Sequence, residues 1–221
     1  MSRSPEGQAP VTRLDVARDQ RQRILRATGE LVAKRGYHGT TVELIVRQAR
    51  VGYATFYKNF GGKEDCFIEL FDTAAAVAVK RMDGAIVAAG DSWPDQIVAA
   101  CRALFDLIVE EPAIARACLV EALTAGPRAA TNYDTALKAM VPILRAGRGL
   151  NPREAELPET LEETIAGGIL WIARQRLVAD EADRLEELLP ETLEFALSPY
   201  LGEGEAVRIV KGLAATKTQP A

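Results

Sequence analysis

The sequence predicts an all-α protein, a small three-helix head carrying a helix-turn-helix followed by a larger all-helical body, and three observations predict it. Ala, Leu, Glu and Arg dominate a chain of 221 residues of which only 6% are aromatic, and these side chains lose little rotamer freedom in a helix. Apolar residues recur at every third or fourth position, with Gly, Pro or Asn at the breaks between such runs. An apolar fraction of 48% is ample for a buried core at this length.

The first helix is expected over residues 15–35, with Ile24, Thr28, Leu31 and Val32 on one stripe and Arg18, Arg21, Arg23 and Arg26 mostly off it. Gly36 ends it, because glycine takes the left-handed conformation that closes a helix. The run Thr40, Thr41, Val42, Glu43 reads as a capping box that opens a second helix. Val42, Ile45, Val46 and Ala49 then give that helix a wholly apolar face. After a turn at Arg50, Val51 and Gly52, a third short helix over 53–60 points Phe56 and Phe60 to the same side. Gly61 and Gly62 stop it, and a fourth helix opens at Lys63 with Phe67, Leu70, Phe71, Ala74 and Val77 as its buried stripe. Longer helices follow over 93–110, 112–124, 128–148, 158–179 and 184–200, with Pro112 and Pro158 in first-turn positions where a missing N–H costs nothing. The expected organisation is a flexible arm at 1–14, the head at 15–80, the body at 81–215 and a disordered tail at 216–221.

Charge divides along the chain. Residues 1–63 hold 12 Lys and Arg against 5 Asp and Glu, a net of +7, whereas the rest of the chain carries −11 and the whole −4. A basic head on an acidic body suits a polyanionic partner, although a charge run is often no more than a solvated face. Cys66, Cys101 and Cys118 fit neither a metal-binding spacing nor a paired disulfide framework, which points to a reducing, cytoplasmic setting. The uncharged apolar run at 165–173 is far short of the roughly 20 residues that span a bilayer, and the N-terminus has no apolar core of the signal-peptide kind. An enzyme is the main rival class, yet the chain has one histidine, His38, and no GxSxG, GxxxxGK or HExxH pattern. No catalytic residue, metal site or cofactor is therefore expected. A second rival is a helical module that uses its basic head on an acidic protein surface.

With Phe56 and Phe60 turned inward, the third helix offers Tyr53, Ala54, Thr55, Tyr57 and Lys58 to solvent. Ala and Thr methyls can meet a thymine methyl, hydroxyls and Lys can reach base edges or phosphates, and none of these side chains is acidic. Lys63, at the start of the fourth helix, is a candidate phosphate contact. Tyr53 is the candidate base reader because it lies near the N-terminal end of the third helix.

These residues carry a family resemblance. Residues 23–27, Arg-Ile-Leu-Arg-Ala, residues 34–42, Lys-Arg-Gly-Tyr-His-Gly-Thr-Thr-Val, and residues 49–65, Ala-Arg-Val-Gly-Tyr-Ala-Thr-Phe-Tyr-Lys-Asn-Phe-Gly-Gly-Lys-Glu-Asp, resemble the DNA-binding head of the tetracycline-repressor (TetR) family over some 50 positions. The resemblance implies a recognition helix at 53–60 with Tyr53, Ala54 and Thr55 facing bases, and Thr41, Gly52, Tyr57, Lys58 and Lys63 at or near the backbone. Arg50 and Gly52 depart from the family pattern, which most often has Gly and Ser there. A left-handed Arg50 would cost roughly 1 kcal/mol, and a Gly cap a few tenths.

Two heads must be joined to meet successive turns of double-stranded DNA about 34–36 Å apart. The expected homodimer interface is Leu161, Ile165, Ile169 and Ile172 with Leu189, Leu193 and Leu197, stripes able to close a four-helix bundle across a two-fold axis beside Gly167 and Gly168. Residues 168–178 resemble the family's dimerisation region. The resemblance also implies a small apolar effector inside the body, for which Cys101, Phe105, Met140 and Trp171 are the expected lining, and a ligand-responsive repressor that binds an inverted-repeat operator.

Overall fold

A computed structural model describes residues 13–217, with side chains from 17 to 213. The order is α1 (Arg13–Arg35), α2 (Val42–Ala49), α3 (Tyr53–Asn59), α4 (Lys63–Ala88), α5 (Trp93–Glu110), α6 (Pro112–Arg116), α7 (Pro127–Ala139), α8 (Val141–Arg145), α9 (Leu161–Val178), α10 (Leu185–Leu201) and α11 (Glu203–Lys217). A π-helical turn, Ala117–Glu121, and a 3-10 turn, Ala122–Thr124, continue α6. No strand occurs among the described residues.

The stripes expected in the head are its core. Ile24, Thr28, Leu31 and Val32 of α1, Ile45, Val46 and Ala49 of α2, Phe56 of α3, Phe60 just past it, and Phe67, Leu70 and Phe71 of α4 are all buried. Gly36, at φ +75°, ends α1. Arg50 closes α2 in the left-handed conformation at φ 53°, and the Val51 N–H returns to the Val46 carbonyl. This turn sets the angle at which α3 leaves α2.

The head core does not stop at α4, because Ala117, Cys118, Ala122, Ala125 and Ala129 pack into it. A second core joins α5, α9, α10 and α11 around Phe105, Ile169, Leu193, Leu197 and Tyr200. At one end of it the Glu162 carboxylate is fully buried, held by Arg148 at 2.7 and 3.0 Å and by a hydrogen bond donated from the Tyr200 hydroxyl at 3.2 Å.

Several expectations need correction. The Thr41 hydroxyl, not Thr40, caps α2 by accepting from Leu44 N at 3.3 Å, while Thr40 Oγ1 donates back to the Gly36 carbonyl at 2.9 Å. With Leu44 as the capped residue, Glu43 is one position too early to complete a box. Val77 is half exposed, at 48%, because α4 outruns the head and this turn borders a cavity. The helix expected over 128–148 breaks at Met140, two residues before Pro142. Pro158 precedes α9, which starts at Leu161, whereas Pro112 does open α6. The helix after Gly202, α11, was not anticipated, and it includes Thr216 and Lys217 of the expected tail. The expected arm at 1–14 lies outside the described residues except for 13 and 14, which already belong to α1.

Candidate nucleic-acid interface and effector cavity

Seven residues are too few for a helix to hold itself in water, so α3 is held by what it packs on. Phe56 is fully buried, with Phe60 5.6 Å away between ring centres. Truncating either ring would cost about 3–5 kcal/mol. Arg21 of α1 adds a clamp that sequence reading missed. Its guanidinium pairs with Glu69 of α4, donates from Nη1 to the Asn59 carbonyl at 3.1 Å and lies 4.6 Å over the Phe60 ring. The only signal was a cation on α1 and an anion on α4, 48 residues apart.

The opposite face is open. Tyr53 and Tyr57 are 51% and 57% exposed, Ala54 and Lys58 are exposed beside them, and Thr55 is half-buried. Gly52 is the N-cap of α3 and contributes no side-chain cap, so the first N–H groups of the helix lack one. Thr41 is exposed too, though its hydroxyl already caps α2.

Lys63 is placed differently from expectation. Its ammonium donates to the Tyr37 carbonyl at 2.8 Å and lies 4.1 Å above the Tyr37 ring, and partial burial lowers its pKa. The neighbouring carbonyl and ring face attract the charge inward, so Lys58 is the exposed cation on α3 itself.

Behind the head lies a cavity of about 380 Å³, beneath α4 and between α1, α5, α6 and α7. Its lining is mainly aliphatic, with Leu25, Leu70, Ala74, Ala78, Ile108 and Leu119 among the walls. Polar groups are few: Gln22 and Arg26 from α1, Thr73, Glu111 and Tyr133. Arg26 and Glu111 stand 3.8 Å apart. Of the four residues expected to line a cavity, Met140 does so. Cys101 and Phe105 point instead into the α5–α9–α10 core, and Trp171 lies on the surface at 56% exposure. The face of α5 that carries Cys101 and Phe105 is used to pack on α9 and α10. Burial pushes the Cys101 and Cys118 thiols up to about 12 and Cys66 to about 11, so all three stay protonated and are poor nucleophiles.

The expected dimer residues are corrected in the same way. Ile165, Ile169, Leu189, Leu193 and Leu197 are buried inside one subunit, and Leu161 and Ile172 are half-buried. The exposed stripe of α9 is instead Thr164, Trp171, Gln175 and Val178, with half-buried Gly168 among them. Exposed Phe195 of α10 lies next to Gly168.

A short aromatic-anchored helix after a tight turn, with an uncharged and cationic outer face, defines a helix-turn-helix head on a helical, cavity-bearing body. Residues 24–70 match the family model described as bacterial regulatory proteins, tetR family. The fatty acid metabolism regulator protein of Bacillus subtilis is 36% identical over 66 residues, 30% of this chain and 34% of that protein. The chain thus spans about a third of the length of this curated relative. Two solved structures share the fold: the fatty acid degradation regulator FadR from Bacillus halodurans, with a TM-score of 0.71 and 20% identity over 80% of this chain and 97% of that one, and FadR from Bacillus subtilis in complex with stearoyl-CoA, with a TM-score of 0.68 and 23% identity over the same shares. The head, residues 24–70, is thus matched in sequence by the tetR family model, and the described chain shares its overall fold with these two regulators.

Proposed function

We propose that the protein is a transcriptional repressor, not an enzyme, that binds an inverted-repeat operator as a homodimer and releases it when a long aliphatic ligand enters the cavity beneath α4. The observation that carries this reading is that one aliphatic cavity is walled both by the body and by Leu25 of α1, a helix of the DNA-binding head. A ligand there touches the head directly. The volume is at the small end of the roughly 300–1,000 Å³ usual for ligand pockets, and the scarcity of polar groups favours a hydrocarbon chain over a sugar or nucleotide. The stearoyl-CoA bound by FadR of Bacillus subtilis supports an acyl thioester as the ligand class.

In this reading Tyr53, Ala54 and Thr55 meet base edges and Thr41, Gly52, Tyr57 and Lys58 lie along the backbone, while Lys63 acts indirectly, by holding Tyr37 in place. Trp171, Val178 and Phe195 close the dimer. The division into arm, head, body and tail belongs to the same proposal, with residues 117–129 shared between head and body. No described helix is long and apolar enough to cross a membrane, and the cysteine usage fits a cytoplasmic setting. Selection of duplexes from a random pool by the full chain, followed by titration with stearoyl-CoA, tests the reading. It expects one inverted-repeat sequence to dominate and stearoyl-CoA to weaken its binding by at least about fivefold. Selection that enriches no sequence overturns the DNA reading, and an operator complex indifferent to stearoyl-CoA overturns the acyl reading.

A further inference from the structure

The π-helical turn Ala117–Glu121 faces two ways. Cys118 and Leu119 line the cavity, and two residues after Leu119 the Glu121 carboxylate accepts a hydrogen bond from the Tyr37 backbone N–H at 3.0 Å. Turns of this kind are rare in helices and concentrate at functional sites. Tyr37 lies in the connection between α1 and α2, and both of its backbone groups are taken, the N–H by Glu121 and the carbonyl by the Lys63 ammonium. Its ring is buried against Phe67, 5.0 Å between centres. Just before it, Gly36 leaves room for the carboxylate, which stands 3.3 Å from where a Cβ would be. A second tie runs parallel, with His38 Nε2 and the Thr124 carbonyl 3.0 Å apart. From Tyr37 the chain passes through Thr40, whose N–H returns to the Tyr37 carbonyl, to Thr41, the cap of α2, and so to the turn that aims α3.

We infer that Glu121 is the positioning residue through which the cavity sets the DNA-binding head: a ligand that displaces the Cys118–Leu119 wall draws the Glu121 carboxylate off Tyr37 and re-aims α2 and α3. The inference rests on the effector reading and adds the route by which occupancy reaches the head. Cavity and head are joined here by a side chain on the same short turn as the wall, so a small shift of the wall is delivered to a single peptide group. A carboxylate on a backbone N–H is a strong, directional bond, and its loss frees the Tyr37 N–H while the carbonyl stays held by Lys63 and by the Thr40 N–H on the α2 side.

The test uses the full chain, its selected operator and stearoyl-CoA, with ligand affinity measured by calorimetry and operator affinity with and without ligand. In the wild type the ligand weakens operator binding by at least about fivefold. Glu121→Ala is expected to bind stearoyl-CoA as the wild type does while its operator affinity changes less than about twofold on ligand addition. Glu121→Gln, which keeps an oxygen for the Tyr37 N–H, restores most of the response. A wild-type response in Glu121→Ala, or a Gln variant as unresponsive as Ala, overturns the inference. A ligand-free arm separates this from failure of the effector reading. Leu119→Trp fills the cavity from the turn itself, with Leu119→Phe as the smaller replacement if the Trp variant does not fold. It is expected to weaken operator binding in the Glu121 background and not in Glu121→Ala, whether or not stearoyl-CoA binds the wild type. Equal losses in both backgrounds overturn the inference.

Discussion

At the residue scale, two lysines of the head are distinguished by surroundings that the sequence does not display. Lys58 and Lys63 are five apart in a basic region, yet Lys58 faces solvent and Lys63 is folded onto Tyr37. Lys58→Ala should therefore lower the slope of log affinity against log salt by about 0.9, the share of one phosphate contact, and leave thermal stability unchanged. Lys63→Ala should do the reverse, destabilising the chain by about 2 kcal/mol, the usual worth of a hydrogen bond to a charged group, with little change in salt slope. Operator titrations at several salt concentrations, paired with denaturant unfolding, check both; a Lys63 variant of unchanged stability and reduced slope would return that lysine to the phosphate. The open face of α3 was legible because Phe56 and Phe60 fix which side is inside, and Tyr53 and Tyr57 follow. The direction of Lys63 was not, since its flexible stem allows the ammonium to reach either water or the Tyr37 carbonyl.

At the element scale, sequence pattern identified the helices that carry a strong apolar stripe and lost those that do not. The helix α11 buries Ala206 and Val210 one turn apart, but Gly204 and Gly212 and a polar composition mask that stripe. The π-helical turn changes register by one residue only, below what a 3.6-residue pattern can resolve. Glu162, in the first turn of α9, has the same difficulty: among Glu159, Glu162 and Glu163 nothing marks the middle one as buried. Burial by itself raises its pKa, but the hydrogen bonds from Arg148, the backbone and Tyr200, with the Arg148 charge, outweigh this and hold it below its ordinary value of 4.5. A carboxylate depressed in the folded state contributes stability that is present above the unfolded value and lost as pH falls through the folded one. Denaturant midpoints should thus decline as pH drops below about 4.5. Glu162→Gln should flatten that decline and lower the denaturant midpoint near neutrality, because it removes the charge that pairs with Arg148 and leaves that guanidinium only the Leu157 and Pro158 carbonyls and a neutral amide. A Gln variant with the wild-type acid slope would show that other carboxylates set the acid limit.

At the scale of the whole molecule, the proposed function sets a geometric demand: a head that reads one major groove would need a second head at a set distance, with the body supplying the joint. The residues that periodicity nominated, Ile165, Ile169, Leu189, Leu193 and Leu197, are spent on joining α9 and α10 to α5 within one subunit. An amphipathic helix shows which face is apolar, not whether its own chain or another covers it, and the cavity was illegible for the same reason: a wall and a packed core share one pattern. What α9 and α10 leave outside is Trp171, Val178 and Phe195, with Gly168 allowing close approach. Large aromatics more than half exposed on adjoining helices are unusual on a lone subunit and suit an isologous contact, in which each meets its symmetry mate. Trp171→Asp combined with Phe195→Asp should halve the mass measured by sedimentation at micromolar concentration, because two carboxylates per subunit would have to be desolvated at the contact. The melting of the isolated subunit should change little, as both side chains are already in water. Binding to the full inverted repeat should fall by orders of magnitude while binding to a single half-site stays as weak as before. Ile169→Ala is the contrasting change: it should cost about 2–5 kcal/mol of folding stability through a core cavity, without selectively dissociating the folded dimer. If the double aspartate variant sediments as the wild type does, the two-fold contact lies on another face and the spacing of the heads must be set from there.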